Sequence, residues 1–272
     1  MKPIIAIDGP AASGKGTMAR MLAEHFRFAY LDSGSLYRAF ACIELVLSDK
    51  SAVSLNDKAE KEENHNLHLA DLSEDYDFTH ILSDTLKEAE KNKKKIDFSS
   101  YTAHTKFFSE DTSGAREFIS IAKKIPDNIL KSEIVGTGAS TVGKLPEVRA
   151  LLTSLMREFA SSPGDKYLGT VIDGRDIGSV VFPNATCKIF LTADLKVRAE
   201  RRFKDTKNFG DTSATFESIY ETLRSRDERD ASRSIAPMTY DETHIVVDTS
   251  NISIKEAFNK LVNIIDLRLH NA

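Results

Sequence analysis

Residues Gly9-Pro10-Ala11-Ala12-Ser13-Gly14-Lys15-Gly16-Thr17 follow directly on the apolar run Pro3-Ile4-Ile5-Ala6-Ile7, and this junction constrains the fold more than any other stretch. It reads as a buried strand, a tight glycine loop and a helix that opens with lysine. Successive backbone N–H groups in such a loop point inward, and the helix N-terminus adds partial positive charge, so the loop can wrap a polyphosphate. Gly9 and Gly14 permit backbone angles that side chains forbid, and Lys15 brings an ammonium to the β- and γ-phosphates. Residues Gly9 to Thr17 are therefore the candidate site for a nucleoside triphosphate.

The surrounding pattern extends this start into an α/β domain. Met18, Met21, Leu22 and Phe26 recur at helical spacing, predicting a helix over 15–25, and Phe28 to Leu31 reads as a short strand. Leu36, Phe40, Ile43 and Leu47 give a second amphipathic helix. Strands are expected at Gly169 to Ile172, Cys187 to Leu191 and His244 to Val247. Helices are expected at Pro146 to Ala160, Lys196 to Lys204 and Phe216 to Asp230. Ser253 and Glu256 form a capping box opening a last helix, whose apolar face would carry Ile254, Ala257, Leu261, Ile264 and Ile265. Such alternation predicts a mostly parallel sheet with helices on both faces.

Between Ser48 and Asn128 the character changes to alternating charges and short apolar runs, with Lys91 to Lys95 nearly a lysine block. Ile96-Asp97-Phe98 and Thr105-Lys106-Phe107-Phe108 could be short strands in this inserted subdomain. His65 and His68 lie in the same polar stretch without supporting ligands and read as solvated surface. A net charge of −4 gives no bulk attraction to a nucleic-acid polymer or an anionic membrane. Cys42 and Cys187 are far apart and without ligand spacing, which fits a reducing, cytoplasmic location.

Arginine placement is the second anchor. Eight of the fifteen arginines lie between Arg175 and Arg233. Arg226, Arg229 and Arg233, three and four apart, would present three guanidinium groups on one helix face, with Asp230 placed to orient Arg226. Arg198, Arg201 and Arg202 make a second cluster. Arginine forks match phosphate oxygens bidentately. Phosphoryl transfer needs positive charge on both sides of the reacting phosphorus and exclusion of water. No general base stands out near the loop. A phosphate monoester acceptor needs none, because its second ionisation lies near pKa ~6. The arginines therefore favour a nucleoside monophosphate as acceptor over a sugar.

Five segments carry a family resemblance: Ile7-Asp8-Gly9-Pro10 with Gly14-Lys15-Gly16-Thr17, Leu31-Asp32-Ser33-Gly34-Ser35-Leu36-Tyr37-Arg38, Asp173-Gly174-Arg175-Asp176-Ile177-Gly178, Val180-Val181-Phe182-Pro183-Asn184-Ala185, and Arg226-Asp227-Glu228-Arg229-Asp230 with Arg233 and Ala236-Pro237. Together they resemble the bacterial cytidylate (CMP) kinases, among the P-loop nucleoside monophosphate kinases. The resemblance implies a P-loop NTPase-like core over 1–47 and 129–272, a lid at about 196–213, and an enlarged CMP-binding subdomain over 48–128. It implies transfer of the γ-phosphoryl group of ATP to CMP or dCMP with Mg²⁺, Thr17 being the candidate metal contact. By position, Ser140, Arg149 and Asp176 resemble the cytosine readers. Ser33, Tyr37, Arg38, Arg175, Arg226, Asp230 and Arg233 correspond to residues around the CMP phosphate and sugar. Arg201 and Arg202 resemble lid arginines reaching the donor phosphates. Lys15, Arg175, Arg201, Arg202 and Arg226 are thus the catalytic candidates. Tyr37 could instead be core, and Ser140 a helix cap.

About forty residues more than the family's usual length lie between Arg38 and Ser140. A monomer is expected. Two other readings remain: a P-loop kinase acting on another nucleotide or metabolite, and a nucleotide-switched binding protein. The arginines between 226 and 233 argue against a phosphate-free acceptor. A switch lacks support, since N-K-x-D is missing and only Asp173 could stand for a metal-binding aspartate at a strand end.

Overall fold

A computed structural model of the chain describes residues 2–48, 118, 122, 124–208 and 214–270. The expected strands at Ile96-Asp97-Phe98 and Thr105-Lys106-Phe107-Phe108, the pair His65 and His68, and nearly all of the insertion over 48–128 lie outside the described residues, as do positions 209–213 of the expected lid. Two compact units are present: Met1–Ser33 together with Met156–Ala272, and Gly34–Leu155.

The first unit is built on five strands: β1 (Ile4–Asp8), β2 (Ala29–Asp32), β3 (Thr170–Gly174), β4 (Cys187–Thr192) and β5 (Ile245–Asp248). All pairings are parallel, in the order β2-β3-β1-β4-β5. The helices among the described residues are α1 (Lys15–Phe26), α2 (Ser33–Ser48), α3 (Asp127–Leu130), α4 (Glu133–Val142), α5 (Pro146–Ser161), α6 (Leu195–Asn208), α7 (Phe216–Ala231) and α8 (Ile254–His270). Ile177–Val181 forms a π-helical turn after β3.

Every residue of β1 and β3 is buried, as expected of parallel strands covered on both faces. Ile5, Ile7, Val171, Ile189, Leu191 and Val247 pack with Met18, Leu22, Leu261 and Ile265 of α1 and α8. Ala6 and Ile172, which alternation turns to the opposite face, are also fully buried. The capping box at α8 forms in both directions: Ser253 N donates to Glu256 Oε2 at 2.8 Å, and Glu256 N to Ser253 Oγ at 3.2 Å. One residue of the expected apolar face departs from it. Ile254 stands in the first turn, short of the sheet, and is 62% exposed.

Strand order reverses about β1, with β2 and β3 on one side and β4 and β5 on the other. Ligands in open parallel sheets sit beyond the carboxyl ends of strands at such a switch point. The glycine loop leaves β1 there. Gly9 passes so close to β4 that a Cβ would lie 2.0 Å from the Leu191 carbonyl oxygen, and its φ is +147°. Gly14 adopts φ +89° with nothing within 4 Å of a notional Cβ. Gly9 thus answers both a steric and a conformational constraint, and Gly14 only the second. Gly9→Ala is expected to lower stability by ~3 kcal/mol, since the β4 main chain must shift. Gly14→Ala should cost only about 1–2 kcal/mol of left-handed strain. Thermal unfolding of the two variants measures the difference, and equal losses would contradict the steric account.

Candidate functional site

Helix α1 begins at Lys15 with Gly14 as its N-cap, and no side chain caps it among the described residues. Its first turn carries no acidic residue. An N-terminus left uncapped in this way offers its amides and its partial positive charge to an anion. Ala12 at φ +58° and Gly14 at φ +89° put two left-handed residues into the loop, which turns consecutive amides inward. Lys15 Nζ donates to the Pro10 carbonyl at 3.2 Å, so the ammonium lies folded over the loop.

Two carboxylates stand beside it. Asp32 and Asp173 are register partners at the ends of β2 and β3. Asp173 is buried and accepts from the Tyr30 hydroxyl at 2.9 Å. Burial, and then the neighbouring Asp32 charge, push the Asp173 carboxyl above the ordinary aspartate range, while Lys15 opposes the shift. Burial and the nearby Arg175 hold the Lys15 ammonium below its ordinary value, with Asp173 pulling the other way. Among the described residues no group of three or more His, Cys, Asp or Glu could hold a metal alone. A hard divalent cation that takes one or two carboxylates and completes its shell with phosphate oxygens and water suits such a pair. Thr17 is exposed in the first turn of α1.

The arginines gather on one buried anion. Asp230, 1% exposed in its side chain, sits 3.1 Å from Arg175 Nε and 3.9 Å from Arg226 Nε, and pairs with Arg233 through its other oxygen. Arg175 also donates to the Gly9 carbonyl, linking the arginine group to the start of the glycine loop. The expected trio on one helix face is corrected here. Helix α7 ends at Ala231, so Arg233 lies beyond it, and Arg229 Nε turns back to the Ser225 carbonyl at 3.1 Å. Arg175, from the turn after β3, takes the third place. Side chains converge on a buried charge across elements, and helical spacing cannot show that.

The second arginine cluster divides by role. Arg198 is buried and donates to the Ala193 carbonyl at 2.8 Å, to the Ala11 carbonyl at 3.2 Å and to Asp227. Asp227 Oδ1 in turn accepts from Ala11 N at 3.4 Å, so α6 and α7 together hold the loop's main chain. Arg201 donates to the Thr249 carbonyl at 2.6 Å and to its hydroxyl at 3.1 Å. Arg202 shares α6 with them. Ser33 and Asp176 are both buried, and a Cβ on Gly174 would lie 2.4 Å from Ser33 Oγ.

In the second unit, Arg38 donates to the Leu130 carbonyl. A Cβ on Gly136 would come within 3.3 Å of the Arg38 guanidinium. Arg149 is buried, donates to the Gly143 carbonyl at 3.2 Å, and places its guanidinium 5.9 Å from the Tyr37 ring centre. Tyr37 is half-buried and therefore only partly core. Ser140 lies inside α4 and is buried, so it is not a cap; Ser132 caps that helix instead, accepting from Val135 N. The helix α4 was not among the expected elements; glycine at 136 and 138 lowers the helical propensity of this stretch. At Gly136 the packing of Arg38 supplies a reason for a small residue.

A five-stranded parallel sheet with an uncapped glycine loop at its switch point defines a P-loop NTPase-like α/β protein. The arginine set beside that loop narrows it to one built for phosphoryl groups. A family model described as cytidylate kinase matches residues 5–267. A cytidylate kinase of Rhodospirillum rubrum is 35% identical over 262 residues, spanning 96% of each chain. That of Azorhizobium caulinodans is 34% identical, over 97% of this chain and 98% of its own length. That of Methylocella silvestris is 36% identical, over 97% and 94%. The chain belongs to the cytidylate kinase family.

Lys15 gives a pH prediction. Its folded value is depressed, so the unfolded chain binds that proton more readily, and this residue's contribution to stability grows as pH rises. A bound polyphosphate favours the charged ammonium. Nucleotide binding at mildly alkaline pH should therefore take up a proton, read by calorimetry in buffers of different ionisation enthalpy. Loss of the uptake in Lys15→Met is expected; equal uptake in that variant would assign the proton elsewhere.

Proposed function

We propose that this protein phosphorylates CMP and dCMP with ATP, forming the nucleoside diphosphates. The observation that carries the reading is the convergence of Arg175, Arg226 and Arg233 on Asp230, with Arg175 also bonded to Gly9 of the phosphate loop. Donor and acceptor phosphates each need cationic partners, and this arrangement supplies guanidiniums beside the loop that takes the donor. Residues Gly9 to Thr17 bind the ATP phosphates, with Lys15 following the β- and γ-groups. Arg175 and Arg226 stabilise the charge that spreads over the transferring group, and Arg233 joins them on the acceptor phosphate. Asp230 keeps these forks oriented, which limits the reorganisation needed when substrate arrives.

On the acceptor, Asp176 accepts from the cytosine amine while Arg149 and Ser140 donate to its ring acceptors. Ser33, Tyr37 and Arg38 contact the phosphate and sugar. Arg201 and Arg202 reach the donor phosphates; Arg201 must then leave Thr249. The acceptor's second phosphate ionisation lies near pKa ~6, so no base is required. Mg²⁺ fits Asp32, Asp173 and the Thr17 hydroxyl. It would supply charge neutralisation to the donor phosphates. The enlarged acceptor-binding subdomain over 48–128 belongs to the same reading, as does a cytoplasmic monomer. Two buried free thiols suit a reducing compartment, and no described helix is long and apolar enough to cross a membrane.

A panel of nucleoside monophosphates with ATP and Mg²⁺ tests the acceptor. CMP and dCMP should turn over fast, with UMP and AMP far slower; AMP turnover equal to CMP would overturn the specificity. Lys15→Ala should lose most of kcat with the fold intact. Asp176→Asn should reduce CMP discrimination by the ~1–3 kcal/mol typical of a bidentate base contact. An unchanged CMP/UMP preference would remove Asp176 from base reading.

A further inference from the structure

Asp8 is the last residue of β1, fully buried, and precedes the first glycine of the phosphate loop. A carboxylate in that position is costly to bury unless its oxygens are occupied. Both are. Oδ1 accepts from Ile177 N at 2.7 Å and Oδ2 from Gly178 N at 2.7 Å. These amides open the π-helical turn that follows Arg175 and Asp176. Asp8 is therefore a cap supplied from β1: the turn's own N-cap residue, Asp176, makes no side-chain cap bond.

The turn has little freedom to settle elsewhere. A Cβ on Gly178 would lie 2.8 Å from His244 Nε2 and 3.0 Å from the Lys188 side chain. One on Gly174 would lie 2.7 Å from the Ile177 side chain. The neighbouring Arg175 is bonded to the Gly9 carbonyl. Consecutive residues 8 and 9 thus hold the turn at two points, by carboxylate and by carbonyl.

We propose that Asp8 is a positioning residue for nucleobase selection, fixing the Arg175-Asp176 turn through the amides of Ile177 and Gly178. This rests on the reading of Asp176 as a cytosine contact. Asp8 touches neither substrate in that scheme. Its effect falls on acceptor recognition, although it adjoins the donor loop in sequence.

The test is steady-state kinetics of wild type and Asp8→Asn with CMP and UMP at saturating ATP, together with KM for ATP. The isosteric amide keeps one acceptor oxygen and turns an NH₂ toward the second backbone N–H, so one bond is lost. Loss of one such bond corresponds to about a fivefold change, expected in KM for CMP and in the CMP/UMP ratio of kcat/KM. KM for ATP should move less than about twofold on the same scale. In the double variant with Asp176→Asn, the two effects on the ratio should be less than additive.

A CMP/UMP ratio that stays at the wild-type value while melting temperature falls would overturn the proposal, leaving Asp8 structural. A rise in KM for ATP as large as that for CMP would also overturn it, placing the effect on the donor loop. If Asp8→Asn does not fold, Asp8→Ser, assayed below its own melting temperature, carries the same comparison. Wild type without a preference for CMP would instead defeat the reading of the acceptor, and that outcome is visible before any variant is made.

Discussion

Several cations crowded into one region repel one another, and how that repulsion is offset governs the rest of this site. Burial lowers the affinity of Lys15 for its proton, and Arg175 and Arg226 are close enough to lower it further. Carboxylates offset the repulsion from fixed positions: Asp230 under the arginines, Asp173 near Lys15. Removing one member of a buried pair leaves an uncompensated charge, which typically costs about 3–5 kcal/mol. Asp230 therefore has a structural task before it has a functional one. It also leaves Arg226 at 3.9 Å, less tightly engaged than Arg175 at 3.1 Å.

The glycine loop meets the same demand with main-chain dipoles in place of ions. No side chain among the described residues caps the first turn of α1 and no acid stands in it, so the loop can offer the amides at that helix N-terminus to an anion. Its path is fixed from outside: Leu191 of β4 leaves room only for glycine at position 9, while Arg198 and Asp227 hold both backbone groups of Ala11. Helices α6 and α7 thus reach the loop at Ala11, and Ala12 packs against the same apolar cluster. A movement of α6 and α7 would be felt at Ala11 directly, without a relay through the sheet.

Much of this was legible from the residues, for identifiable reasons. Strands with apolar runs and helices with 3.6-residue periodicity fell within one or two residues of their expected ends, because local patterning and packing agree there; α6 is the exception and runs to Asn208, four residues past its expected end. The phosphate loop was legible because glycine and lysine at fixed spacing have few other uses. What stayed hidden depends on contacts between distant segments. Helical spacing grouped Arg229 with Arg226 and Arg233, whereas a shared buried carboxylate groups Arg175 with them. Arg198 looked like a phosphate ligand and is a buried tie to Ala11, Ala193 and Asp227. Helix α4 was obscured by two glycines, and the role of Asp8 could not be inferred from a position that looks like an ordinary strand end.

Asp8, Asp173 and Asp230 are three buried carboxylates with three kinds of partner, and the contrast separates what each can do. Asp8 accepts from two backbone amides, with His244 Nε2 4.0 Å from its Oδ2; burial pushes its carboxyl up to about 7 despite those bonds and the opposing Lys15 charge. Asp173 faces another carboxylate across the strand register and is suited to receive a cation. Asp230 is surrounded by guanidiniums and serves to aim them. The residue type is shared, and the partner determines whether the carboxylate fixes a backbone, binds a cation or orients a side chain.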